Sequence, residues 1–272
     1  MIISLTKTLE FIILVVFITA FVFQLQAEGV SNKGSFQMYS RHWDDLPIHQ
    51  PERETKNILL IHDLFVLSFN PDTRLPDWMA YQLSPSVVWG FLQEERKWKP
   101  DPLLPPSLSL TVGNYKGASG WGYDKGHLAP KGSFKGSVFA YQAQYITNLV
   151  PQKRNLNQGP WRILEETIRR LVLKGHSVRV LAGPLYGEKS LPVWPSAQGR
   201  LKKIPSGYWK IISLKEKGAL NICSFIMPQK ISSRKTALKK YTVKKVDIEK
   251  KSQIQIFKNY KGRIKESCKF LL

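Results

Sequence analysis

The best-placed acid–base group in this chain is a histidine set among glycine and charged neighbours. His127 stands in Trp121-Gly122-Tyr123-Asp124-Lys125-Gly126-His127-Leu128-Ala129-Pro130. Imidazole takes up and returns a proton near neutral pH, which makes it the usual general base. Gly126 lets the chain turn tightly beside it and Pro130 stiffens the exit. Asp124 lies within local reach, though the sequence does not fix whether it orients the ring. The other four histidines read as surface or structural residues. His42 and His49 fall in a polar N-terminal stretch, His62 at a hairpin, and His176 after a helix C-terminus, where a cation suits the dipole.

A second cluster gathers carboxamides: Asn148, Gln152, Asn155, Asn157 and Gln158, followed by Glu165. On one regular helix Asn157 and Glu165 would lie about 80° apart and two turns along. A neutral amide oxygen and a carboxylate at that spacing suit a hard cation that keeps most of its water, as Mg²⁺ prefers. Helix capping by Asn155 or Asn157 accounts for the same residues without a metal. The residues alone leave both readings open.

The elements that must position these groups form an α+β pattern. Asn57–Phe69 reads as a strand pair turning at His62-Asp63, and Trp78–Leu83 as another strand. Residues 84–122 are rich in Pro and Gly and read as a long ordered loop, of the kind that usually carries function. Trp161, Leu164, Ile168, Leu171 and Val172 recur at helical spacing, with Pro160 in the first turn and Gly175 at the C-terminal cap. Val178–Ala182, Gly207–Leu214 and Leu220–Met227 read as strands, and a helix or turn is expected around Val246–Glu249. No internal repeat or linker divides the chain.

Composition sets the partners. Lys+Arg 41 against Asp+Glu 20 gives a net charge of +21 over 272 residues. That excess calls for a polyanion, either nucleic acid or an acidic membrane surface, or else is a lysine-rich solvated face. Residues 11–23 are apolar apart from Thr19, preceded by Lys7 and followed by Ala27. The stretch reads as a secretory signal ending near residue 27, with an uncleaved anchor or an organellar signal as alternatives. Cys223 and Cys268 have no metal-ligand spacing. They form one bridge in an oxidising compartment, or Cys223 is simply a small core residue.

Taken together, the two clusters resemble a known family. Asp124-Lys-Gly-His127-Leu-Ala-Pro is similar to the D-R-G-H signature of the DNA/RNA non-specific endonucleases. Asn148-Leu-Val-Pro-Gln152 through Leu156-Asn157-Gln158 and Trp161 to Glu165 is similar to that family's N-x-x-P-Q…L-N-Q-x-x-W…E run. The interval from the histidine to the asparagine, about thirty residues, also matches. Trp78-x-x-Tyr81, Arg96-Lys-Trp98, Ala182-Gly-Pro-Leu185 and Ile204-Pro-Ser-x-Tyr208-Trp-Lys210 extend the match over roughly residues 55–255.

The resemblance implies a mainly antiparallel central sheet with flanking helices and long loops, and a ββα-metal active site. The apolar N-terminal run and the extent of the match divide the chain into a signal or anchor (1–27), an extension (28–54), the nuclease domain (55–255) and a tail (256–272) with no assigned role. The resemblance casts His127 as the base that activates water, Asn157 as the direct Mg²⁺ ligand, with Mn²⁺ a substitute, and Glu165 as a holder of metal-bound water. Arg96 would offset charge on the phosphorane. Asp124, Lys125, Asn148 and Gln152 would support the metal and the phosphate. Lys125 departs from the family arginine, and a lysine cannot form the bidentate fork.

The implied activity is Mg²⁺-dependent hydrolysis of DNA and RNA through backbone contacts, in an exported or N-terminally anchored protein. Trp121 and Tyr123 are candidates for base stacking or for core. A homodimer and a membrane association through residues 11–23 remain open. The alternative is a non-catalytic, tethered nucleic-acid-binding or uptake protein on the same scaffold.

Overall fold

The computed structural model describes residues 48–49, 57–92, 97–187 and 191–272. The apolar run 11–23, His42 and Arg96 lie outside these residues. Among the described residues no helix is long and apolar enough to cross a membrane.

Strand β1 (Ile48–His49) pairs with a distant short strand near the C-terminus. The predicted strand pair forms as β2 (Ile58–Ile61) and β3 (Phe65–Asn70), turning through His62 N–H to Phe65 O at 2.9 Å. Strand β4 (Leu75–Leu83) follows. The next long strands are β7 (Val178–Leu185), β8 (Gly207–Glu216) and β9 (Ala219–Pro228). Together with β10 (Thr242–Val243) they run in the order β2-β3-β4-β7-β8-β9-β10 within one sheet, each neighbour along this path antiparallel. Successive residues Tyr208, Trp209, Lys210, Ile211 and Ile212 of β8 are all buried, so both faces of the sheet are covered.

Helix α1 (Pro85–Val88) and several single turns occupy the long loop region. A buried cluster pins it: His62 Nε2 lies 2.9 Å from Asp101 Oδ2, which also accepts from the Thr147 hydroxyl. His62 thus joins the β2–β3 turn to the segment leading into the site.

Helix α2 (Arg162–Leu173) buries Leu164, Ile168, Leu171 and Val172 in the core and closes with Gly175 N–H to Val172 O at 2.9 Å. The single regular helix that would carry both Asn157 and Glu165 does not form. Asn157–Trp161 forms a wide π-type turn in which Gly159 has φ −113° and ψ −121°. Pro160 has no N–H to give the preceding turn, and Gly159 runs against Arg234, whose Cα would lie 2.8 Å from a Cβ. The expected 80° relation of Asn157 to Glu165 therefore does not apply.

Helix α3 (Lys245–Ser252) forms around the predicted Val246–Glu249. The strand paired with β1 is β11 (Gln255–Ile256). Beyond it, β12 (Arg263–Glu266) lies parallel to Ala219–Ile222 of β9, and a disulfide joins Cys223 to Cys268. Residues 256–272 are thus bound to the sheet, and the bridge settles the open reading of Cys223.

Candidate active site

Strands β5 (Tyr123–His127) and β6 (Leu149–Lys153) form a separate two-stranded antiparallel ribbon. Its register sets His127 against Leu149 and Asp124 against Gln152. The chain then runs through the wide turn into α2, giving two strands followed by a helix.

The ribbon is fixed from several sides. Tyr208 Oη and Gln229 Nε2 each donate to Pro151 O at 2.7 Å, and Gln229 Oε1 accepts from Lys153 N at 2.7 Å. Tyr115 Oη donates to Leu149 O at 3.1 Å. These bonds occupy strand groups that have no partner strand. Asn148 is fully buried and serves the backbone: its Oδ1 accepts from Ala129 N, and its Nδ2 donates to Ala129 O and Ala143 O. That amide fixes the path of the chain two residues beyond His127.

His127 ends β5, half-buried, with the Trp98 ring 5.2 Å from its own. The indole N–H of Trp161 donates to His127 O at 3.1 Å. The base candidate is thereby tied to the turn that carries Asn157.

Asp124 points its carboxylate at that turn. Oδ2 accepts from Asn157 Nδ2 at 3.1 Å and from Gln158 Nε2 at 2.8 Å, and Arg154 Nε lies 3.5 Å from Oδ1. Because the Asn157 nitrogen is engaged, its carbonyl oxygen is the end left for a cation. Opposite Asp124, the Gln152 side chain is wholly buried, and neither amide atom has a hydrogen-bond partner among the described residues. A Cβ on Gly126 would lie 2.1 Å from Gln152 Oε1. The glycine in the histidine motif therefore serves a close approach.

Glu165 lies on α2 with Oε1 3.6 Å from Lys210 Nζ of β8. Burial pushes the Glu165 carboxyl up, opposed by the charges of Lys210 and Arg169. Burial also pulls the Lys210 ammonium down to about 8, opposed by Glu165. Among the described residues no three His, Cys, Asp or Glu side chains gather as a metal cage. Amide oxygens and a carboxylate are the kinds of donor that a hard cation takes together with its water.

The sequence profile of the DNA/RNA non-specific endonucleases matches residues 45–262. The chain belongs to that family. It is 29% identical over 229 residues to the nuclease of Serratia marcescens, a match covering 83% of this chain and 85% of the relative. It is also 29% identical over 263 residues to the mitochondrial nuclease EXOG of Xenopus laevis, covering 89% and 72%. A chain of the EndoG/EndoGI complex superposes with a TM-score of 0.64 at 24% identity, over 73% of this chain and 85% of that one, a likeness of fold. The chain is thus a phosphodiester hydrolase acting on nucleic acid, on a mainly antiparallel α+β fold with a ββα site.

Within this endonuclease, the predicted residues Asp124, Lys125, His127, Asn148, Gln152, Asn157 and Glu165 fall on the ribbon, the segment leading into it, the wide turn or α2. Of the two aromatic candidates, Tyr123 is buried beneath Lys153 Nζ, 3.8 Å from its ring centre, and Trp121 is 44% exposed. Sequence reasoning assigned no role to Gln158, Trp161 or Gln229. Lys210 entered only as the last residue of a matching motif, although one lysine inside the apolar run Tyr208–Ile212 is a readable signal of a buried charge.

Proposed function

We propose that this nuclease is a Mg²⁺-dependent, sugar-non-specific endonuclease in which His127 is the general base. What chiefly supports the reading is the Asp124–Asn157 bond on the ribbon that ends in His127, because it leaves an amide oxygen for a cation beside the base. Mg²⁺, or Mn²⁺ in its place, would supply charge stabilisation at the phosphate and the departing oxygen. Asn157 would be its direct ligand, Glu165 would hold its water, and Gln152 would satisfy its buried amide through the same water.

His127 takes a proton from a water molecule, whose oxygen bonds to phosphorus as the bond to the 3′-oxygen breaks. The departing 3′-oxygen takes a proton from solvent, so the products are a 5′-phosphate and a 3′-hydroxyl. Lys125 and Arg96 offer charge to the phosphate, Lys125 as a point charge without a fork. Arg96 keeps this role from its motif alone. The +21 surface tracks the backbone without reading bases. We place the protein in an exported compartment, for which the Cys223–Cys268 bridge is the support.

Supercoiled plasmid and RNA incubated with the purified protein test this reading. Both should be cut with Mg²⁺, spared in EDTA, and spared by His127→Ala, which should still bind DNA. Undiminished cutting in EDTA, or wild-type rates from His127→Ala, would overturn it.

A further inference from the structure

A buried lysine is costly, since an ammonium taken out of water loses its hydration. Lys210 is 0% exposed, in a strand whose neighbours are apolar. Methionine would fill a similar volume without that penalty.

Three groups surround its Nζ. Glu165 Oε1 is 3.6 Å away, Leu128 O is 3.4 Å away, and the Trp161 ring centre is 4.0 Å away. Each belongs to a different part of the site. Leu128 follows His127, Trp161 donates to the His127 carbonyl, and Glu165 stands on α2. The ammonium therefore meets the base strand, the wide turn and the helix at one point, from the sheet beneath. Arg169, one turn further along α2, adds positive charge to the same neighbourhood, since it acts on both Glu165 and Lys210.

We propose that Lys210 is a positioning residue of this nuclease, holding the Glu165 carboxylate and the Leu128 carbonyl so that Glu165 and His127 keep a fixed separation. The proposal rests on the reading of Glu165 given above. It explains why a charge sits where packing needs none, and why three site elements converge on it. Lys210 acts through its neighbours.

A double-mutant cycle of Lys210→Met and Glu165→Gln tests it, with Lys210→Arg as a conservative variant. Four quantities are measured: kcat and KM on a short duplex, Mn²⁺ affinity by calorimetry, duplex affinity in EDTA, and Tm. Lys210→Met should lower kcat or Mn²⁺ affinity by about 10–100-fold, the usual cost of losing a group that orients a metal's surroundings. KM and duplex affinity in EDTA should hold within about twofold, and Lys210→Arg should recover part of the loss. In the Glu165→Gln background the same change should cost less than about threefold, because its target is gone.

An equal loss in both backgrounds, or a lower Tm with kcat and Mn²⁺ affinity unchanged, would overturn the role of Lys210. If Lys210→Met alone does not fold, Glu165→Gln is compared with the double variant, which carries no unpaired buried charge. Equal rates then support the proposal and a further loss overturns it. Glu165→Gln with wild-type kcat and Mn²⁺ affinity would instead remove the underlying reading of Glu165.

Discussion

Asn157 donates its side-chain amide to Asp124 Oδ2 across 3.1 Å, joining residues 33 apart in the chain. The bond turns one functional side chain by means of another. An amide has a donor end and an acceptor end, and a carboxylate can take only the donor. Asp124 thus decides which end of Asn157 is free.

Asp124→Ala removes that decision. Mg²⁺ affinity or the rate at fixed Mg²⁺ should fall by about 10–100-fold, with the fold retained. Titrating plasmid cleavage with Mg²⁺ reads the effect, and an unchanged titration curve would show that Asn157 is held some other way.

Trp161→Phe keeps a ring over Lys210 but takes the N–H from the His127 carbonyl. Stability should fall by about 1 kcal/mol, the usual net worth of one hydrogen bond. At about 2–4 °C per kcal/mol for a chain of this size, the drop is visible in a thermal melt. An unaltered Tm would mean that the bond from Trp161 contributes nothing.

Gly126→Ala places a methyl 2.1 Å from Gln152 Oε1 in a fully buried position. The methyl would also lie 2.7 Å from Gln152 Cγ, so overpacking should cost about 1–3 kcal/mol. Cleavage should fall with it, because Gly126 precedes His127, the proposed base. Gln152→Ala in the same chain should restore part of the lost Tm, and failure to do so would place the strain elsewhere.

High pH should unfold the protein. Burial, with smaller contributions from Tyr141 and two aspartates, raises Tyr145 from its ordinary 10.0 to about 12. Burial raises Tyr81, Tyr115, Tyr186 and Tyr208 as well. Between these values the folded state holds more protons than the unfolded one, so stability falls as pH rises. The contribution is complete below pH 10 and is lost on the way to about 12. Lys210 runs the opposite way from about 8 upward, as one group against several. Tm should therefore drop steeply across this range, with part of the tyrosinate absorbance appearing only on unfolding. Tyrosinate formation that is complete before unfolding would contradict the burial of these hydroxyls.

Periodicity and motif order made much of this legible beforehand. Strands β2 to β4 and β7 to β9 follow from runs of β-branched and aromatic residues, and α2 from the spacing of Trp161, Leu164, Ile168 and Leu171. The turn at Asn157–Trp161 did not follow, because helical spacing gives no sign that Gly159 packs against Arg234. Hydrogen bonds between residues far apart in the chain were equally silent.

By itself, then, the sequence determined the basic charge, the α+β class, the histidine and asparagine motifs and the family they resemble. Those are properties of residue type and short-range order, which a chain carries before it folds. The tertiary structure alone decided that Asp124 serves Asn157, that Asn148 serves the backbone and that Lys210 lies beneath Glu165. Each of these is a contact across tens of residues. Such contacts are set by how a sheet, a ribbon and a helix pack, and no local pattern encodes that.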